Sequence, residues 1–247
     1  MKVLINGING KMGQVLLDEI NKTENIEVVC GVSKHESKLD IPVYTNTKDI
    51  KEKIDMIIDF STREGAINIL DYAKDNNIPI VIATTGFTKE EQDKILEYSN
   101  YIPIFQSSNM SLEINIMCEV VAKLAEKLNG SDIEIVETHH RNKVDAPSGT
   151  ALMLANSINE SLNNQMEYTY DRHSKKEKRN DQEIGIHSIR GGTEVGKHTV
   201  YFFGNNESFE ITHTVNSRSI FAQGAIKAAI YLAQQPKGFY NMKNLLK

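Results

Sequence analysis

Thirteen consecutive positions, His139 to Ala151, hold two imidazoles, a guanidinium, an ammonium, a carboxylate and a helix start: HHRNKVDAPSGTA. Pro147 fits just before a helix, and Ser148 can cap it. Gly149 and Thr150 then place backbone N–H groups at the positive end of the helix dipole, a ready carboxylate site. His139, His140 and Lys143 can supply protons and positive charge beside it. Taken singly, a His pair or a lone Lys on a loop is more often solvated or structural; the combination is what points to chemistry. The apolar run from Ile133 to Val136 reads as a strand, and Leu152, Ala155 and Ile158 have helical spacing. The cluster is therefore expected on a strand-to-helix loop, where catalytic groups collect.

A second cluster opens the chain. Val3 to Asn6 is a short apolar strand, GINGKMG follows from Gly7 to Gly13, and Met12, Val15, Leu16 and Ile20 mark the buried face of a helix. Ile26 to Val32 is the next strand, which completes a βαβ unit. In that context a glycine turn binds a dinucleotide: glycines let the backbone approach the pyrophosphate, which sits on the helix N-terminus. Gly7, Ile8, Asn9, Gly10, Lys11 and Met12 are the expected cofactor-binding turn. The usual middle glycine is Asn9, the non-glycine residue that best tolerates positive φ. An acidic residue at the end of the second strand would hold the ribose of NAD, but this chain has Ser33, Lys34 and His35, with nothing acidic before Glu36. Ser33 can hydrogen-bond a 2′-phosphate and Lys34 can neutralise it, so the reading leans to NADPH over NADH. A solvated loop lysine is the plainer alternative.

Strands over Ile54–Asp59, Pro79–Ala83 and Ile102–Phe105 alternate with helices, the second of which has a capping box at Thr88 and Glu91. That alternation predicts a Rossmann-like doubly wound parallel sheet with ligands at the carboxyl ends of its strands. Ser111 to Leu128 has helical spacing and should lead into a second α+β domain. Its strand-like runs Ile184–Arg190, His198–Phe203 and Ser208–His213 predict a mixed or antiparallel sheet with helices on one side. His187, His198 and His213 read as strand residues, and with no Cys/His ligand spacing no metal is expected. Asp171–Glu183 is charged with both signs and reads as a solvated mobile loop. Phe221, Ala225, Ala229 and Leu232 describe a helix that returns to the first domain. The expected division is 1–108 with 219–247 for the dinucleotide and 109–218 for substrate binding and oligomerisation.

Composition narrows the class. The 28 basic and 33 acidic residues leave a net charge of −5, which argues against a general nucleic-acid binder. No stretch has the apolar length to cross a bilayer, and MKVLINGING is too short an apolar run for a signal peptide. Cys30 and Cys118 lie inside apolar runs and read as buried thiols in a reducing compartment. A cytoplasmic location without nucleic-acid or membrane partners is expected.

The run of His-His, Lys143 four residues after His139, then Asp-Ala-Pro-Ser-Gly-Thr-Ala resembles the substrate loop of the 4-hydroxy-tetrahydrodipicolinate reductase (dihydrodipicolinate reductase) family. Met12-Gly13, Arg190-Gly191-Gly192, Gly196-Lys197-His198-Thr199 and Ser217-Arg218 are also similar to that family, so the resemblance runs from Met1 to about Leu246. It implies NAD(P)H-dependent reduction of 4-hydroxy-tetrahydrodipicolinate to tetrahydrodipicolinate, a step of lysine and diaminopimelate biosynthesis, by an enzyme whose domains close over a small dicarboxylate. It implies Lys143 as proton donor, His139 as proton donor or acceptor, His140 as substrate-binding, and Gly149 with Thr150 as the carboxylate cradle. It also implies that Ala83, Thr84 and Thr85 and the run Ser107, Ser108, Asn109 and Met110 line the nicotinamide side, although Thr84-Thr85 is equally ordinary turn chemistry. Serines stand at 107 and 108 where the family often has alanines. A homotetramer built by the second domain's sheets follows from the same resemblance. Two rivals stand beside it: another NAD(P)-dependent dehydrogenase of an amino-acid-like substrate, and a non-enzymatic NAD(P) sensor.

Overall fold

A computed structural model describes residues 1–35, 37 and 39–247; Glu36, which bounded the non-acidic run after the second strand, lies outside the described residues. The chain forms two compact units, Met1–Ser111 with Arg218–Lys247, and Leu112–Ser217. The first begins as β1 (Lys2–Asn6), α1 (Lys11–Ile20), β2 (Glu27–Val32), β3 (Val43–Tyr44), β4 (Met56–Asp59), α2 (Arg63–Asp75), β5 (Ile80–Ile82), α3 (Lys89–Tyr98) and β6 (Pro103–Gln106). The second unit holds α4 (Leu112–Lys127), β7 (Asp132–His139), α5 (Gly149–Ser161), β8 (Glu167–Thr169), β9 (Glu183–Arg190), β10 (Gly196–Phe203) and β11 (Ser208–Val215). The chain then returns through α6 (Ser219–Leu232), β12 (Gly238–Tyr240) and α7 (Met242–Leu245).

Among the described residues the first unit is a seven-stranded parallel sheet in the order β12-β6-β5-β4-β1-β2-β3. Its strands are apolar on both sides because both faces are covered. Val3, Ile5, Met56 and Ile58 pack with Leu16 of α1 and Ala225, Ala229 and Leu232 of α6. Leu4, Ile57 and Ile80 go the other way, against Ile69 and Leu70 of α2 and Ile95 of α3. Helix α3 starts as its sequence predicts: the Thr88 amide donates to Glu91 Oε2 at 2.8 Å and the Glu91 amide to Thr88 Oγ1 at 3.3 Å. The edge strands β3 and β12 have no counterpart in the sequence reading, since two or three residues show no period.

The second unit is a five-stranded mixed sheet, β11-β10-β7-β9-β8, antiparallel at β11/β10/β7 and parallel at β7/β9/β8. Ile133 and Ile135 of β7 face Val121 of α4 and Leu154 and Ile158 of α5. The segment between β8 and β9 is a largely exposed loop, as expected, but two of its arginines are anchored on the sheet. Arg179 donates to Asp132 at 2.8 Å, to Glu134 at 3.2 Å and to the Glu183 carbonyl at 2.5 Å, and Arg172 reaches Glu183 at 2.6 Å. Arg172, Lys175 and Arg179 thus pair with carboxylates at one end of the sheet, while Lys176 and Lys178 are exposed.

Candidate functional site

Strand β7 runs three residues further than the apolar run suggests, so His139 is its last residue and not part of the loop. Alternation then puts Glu137 and His139 on the face of Ile133 and Ile135. Glu137 is fully buried and His139 is nearly so. His139 Nδ1 lies 2.5 Å from Glu137 Oε2. The same carboxylate receives Arg190 through both oxygens, at 2.8 and 2.7 Å, Ser188 Oγ at 2.7 Å and the Ser148 amide at 3.1 Å. Burial opposes ionisation of Glu137, but hydrogen bonds from His139, Arg190 and Ser188 outweigh it and hold the carboxyl far below its usual range.

Ser148 caps α5 by accepting from the Ala151 amide at 3.2 Å, and its hydroxyl also meets His198 Nε2 at 3.0 Å. Burial, followed by the neighbouring His139, pushes the His198 imidazole down to about 3, so it is neutral. Gly149 and Thr150 form the first turn of α5, at its positive end, and the space beyond the Gly149 Cα is open. Lys143 Nζ pairs with Asp145 at 2.9 Å, a contact that orients the ammonium. Burial works against the Asp145 charge, and the Lys143 ammonium overrides it and holds this carboxyl below its ordinary range. The loop itself is tied down from β9 and the turn after it. Arg190 donates to the Asp145 carbonyl at 2.7 Å, the His140 amide to the Glu194 carbonyl at 2.8 Å, and the Gly191 amide to the His139 carbonyl at 3.0 Å. His140 keeps a buried Nδ1 without a hydrogen-bond partner.

In the first unit the glycine turn has the geometry a dinucleotide needs. Gly7 has φ +83°, and a Cβ there would sit 2.5 Å from the Phe60 carbonyl oxygen, so only glycine fits. Helix α1 starts after Gly10 with no side chain capping it. Asn9 is not in the left-handed region, contrary to the role expected of it; its side-chain amide instead donates to the His35 carbonyl at 3.0 Å, tying the turn to the end of β2. A cleft of about 740 Å³ runs past Gly7, Gly10, Ser33, Lys34, Phe60 and Glu64. Lys34 pairs in it with Glu64, at 3.2 Å. Ile8 and Met110 are packed in the core and present only backbone to any ligand. Lys11 is exposed and Met12 packs against the core.

Thr84 does more than line a turn. Buried Asp59 accepts from Asn6 at 2.8 Å and Ser61 Oγ at 2.5 Å, and the Ser61 amide donates to Thr84 Oγ1 at 3.1 Å. Burial raises the Asp59 pKa, while the Ser61, Thr84 and Asn6 bonds oppose the rise. The network joins the ends of β1, β4 and β5. A smaller recess of about 400 Å³ is lined by Thr84, Thr85, Gln106, Ser107, Ser108 and Asn241; Ala83, just past the end of β5, is half-buried. Ser107 Oγ donates to the Asn109 carbonyl at 2.7 Å, and Asn109 Oδ1 accepts from the Ser111 amide at 2.9 Å, so this run forms a tight turn.

Glu137, Ser188 and Glu64 escaped the sequence reading, which noticed Arg190 and His198 as strand residues and points of resemblance but gave them no role in the site. Period-two spacing from Ile135 through Glu137 to His139 was the available signal for the buried carboxylate.

A parallel sheet with a glycine turn, joined to a unit that sets acid–base side chains beside a helix N-terminus, defines a dinucleotide-dependent oxidoreductase. Family models sharpen this. "Dihydrodipicolinate reductase, N-terminus" matches residues 1–110 and "Dihydrodipicolinate reductase, C-terminus" matches 113–246, and the chain belongs to this family. It is 49% identical over 247 residues to the 4-hydroxy-tetrahydrodipicolinate reductase of Caldanaerobacter subterraneus subsp. tengcongensis, covering all of this chain and 98% of the other. It is 46% identical to the reductase of the same name from Brachyspira hyodysenteriae, with all of both chains covered. The dipicolinate-bound dihydrodipicolinate reductase from Paenisporosarcina sp. TG-14 superposes with a TM-score of 0.81 at 25% identity, over 99% of this chain and 98% of that one.

Proposed function

We propose that the protein reduces 4-hydroxy-tetrahydrodipicolinate to tetrahydrodipicolinate with NAD(P)H, a step of lysine and diaminopimelate biosynthesis. The observation that carries this is the passage from the end of β7 to the start of α5, where a carboxylate-anchored His139, the Lys143–Asp145 pair and the capped first turn of α5 occur together. Its groups answer the demands of a ring bearing two carboxylates. The first-turn amides of Gly149 and Thr150 take one carboxylate at the positive end of α5. Lys143 offers positive charge and a proton, His139 gives or takes a proton, and His140 supplies a further polar contact. When bound, the reduced nicotinamide supplies a hydride to the ring carbon conjugated with the imine. Loss of water from the ring first brings that carbon into conjugation; as it accepts the hydride, electrons move toward nitrogen and the neighbouring carbon takes a proton. Family membership over both parts of the chain favours this reading over a different amino-acid dehydrogenase or a sensor.

The glycine turn, the uncapped α1 and the long cleft fit a dinucleotide. Ser33 and Lys34 in that cleft support NADPH. Displacing the exposed Lys34–Glu64 pair costs at most about 1 kcal/mol, so Lys34 is readily freed to meet a 2′-phosphate. The buried free thiols of Cys30 and Cys118 suit a cytoplasmic protein. The assembly we propose is a homotetramer through the second unit's sheet.

Pyridine-2,6-dicarboxylate, the ligand named for the Paenisporosarcina enzyme, is a direct probe of the loop. Calorimetry should show binding to the wild type and about tenfold or more weaker binding to Lys143→Ala, the usual loss for a charge-assisted hydrogen bond. NADPH affinity should stay unchanged while turnover falls about a hundredfold or more. A Lys143→Ala enzyme with near wild-type turnover contradicts the assignment.

A further inference from the structure

We propose that Glu137 is a positioning residue that fixes the tautomer of His139 and so makes Nε2 the proton-accepting atom of that ring. The inference rests on the reading of His139 as an acid–base group.

Glu137 is wholly removed from water and collects donors on both oxygens. The Ser148 amide, Ser188 Oγ and Arg190 Nη2 converge on Oε1, while Arg190 Nη1 and His139 Nδ1 meet Oε2. A carboxylate in such a cage is ionised and can only accept. The hydrogen between Nδ1 and Oε2 therefore belongs to the imidazole, and in the neutral ring the lone pair is left on Nε2. The surroundings keep that nitrogen accessible. A Cβ at position 196 would lie 3.1 Å from Nε2, and Gly196 leaves the space open. His198, whose ring centre is 5.1 Å from that of His139, spends its own Nε2 on Ser148 and carries no charge. Arg190 completes the device by holding the Asp145 carbonyl as well, which ties the carboxylate to the loop that bears Lys143.

Glu137→Gln tests this. Three donors force the carboxamide oxygen into the place of Oε1, so its NH2 faces His139 Nδ1. That nitrogen must then accept, and the hydrogen moves to Nε2. The readout is the ring-nitrogen spectrum of protein labelled with 15N-histidine, with His139 assigned by His139→Gln. We expect Nδ1–H in the neutral ring of the wild type and Nε2–H in Glu137→Gln. Turnover should fall about a hundredfold or more with little change in substrate KM, as for a misplaced catalytic proton. Glu137→Asp, which keeps a carboxylate, should keep Nδ1–H. A merely structural Glu137 would leave the tautomer alone. A wild-type ring with Nε2–H overturns the proposal with no variant needed, so it stays testable even if Glu137→Gln does not fold. A Glu137→Gln protein with the wild-type tautomer overturns it too. Swapped tautomers with full turnover would support the role of Glu137 and instead defeat the acid–base role of His139.

Discussion

Ser33 and Lys34 sit at the end of β2 in the same cleft as Gly7, as the spacing from the glycine turn led one to expect. Ser33→Asp should therefore move the ratio of catalytic efficiencies toward NADH. A carboxylate there accepts from the ribose hydroxyls and repels a 2′-phosphate. If that ratio does not move, Ser33 is not at the ribose. Individual side chains were legible where a local rule governs them: Ser148 as a cap, Glu91 in its capping box, Gly7 at a forced turn. Those defined by partners far along the chain were not. Arg190 meets Glu137 across 53 positions, and Glu64 meets Lys34 across 30. Asn9 shows the limit of propensity: its tolerance of positive φ was real but unused, because its side-chain amide had a better task at His35.

Strand β10 carries a titration across the second unit's sheet. Unfolded, His198 binds a proton below about 6.5; folded, it does so only near 3. Between those values the unfolded chain holds one more proton, so stability is lost as pH falls and is flat above 6.5. The loss by pH 5 is about 2 kcal/mol. His198→Gln removes the titration and leaves an amide for Ser148. Urea titrations at pH 7 and pH 5 should show a smaller acid loss for His198→Gln by about that amount, and equal losses in the two proteins would contradict the buried neutral imidazole. At this scale long periodic elements such as α4 and α6 were readable, since amphipathic spacing is a local property. The edge strands β3 and β12 were not, because their pairing is decided by the finished sheet. Nor were the ion pairs of Arg172 and Arg179 within the exposed loop Asp171–Glu183, whose partners Asp132, Glu134 and Glu183 meet them only in the folded sheet.

The whole chain follows the alternation that predicted it, a parallel sheet interrupted by a mixed one, with α6 returning to the first core. In β10, Phe202 is buried toward the helices while Phe203 is 41% exposed on the opposite face, stacked on Tyr201 at 5.5 Å. Ile189 is 51% exposed on the same face. We propose that its own copy covers this surface. Light scattering at micromolar concentration should report a tetramer, and Phe203→Glu should split it into smaller species; a monomeric wild type would refute this assembly. The central claim is the reaction itself. Purified protein, NADPH, pyruvate and aspartate semialdehyde are mixed, and the synthase that condenses the last two is then added. NADPH should be consumed only once the synthase is present, in proportion to the condensed product. Steady NADPH absorbance with the synthase active would contradict the account.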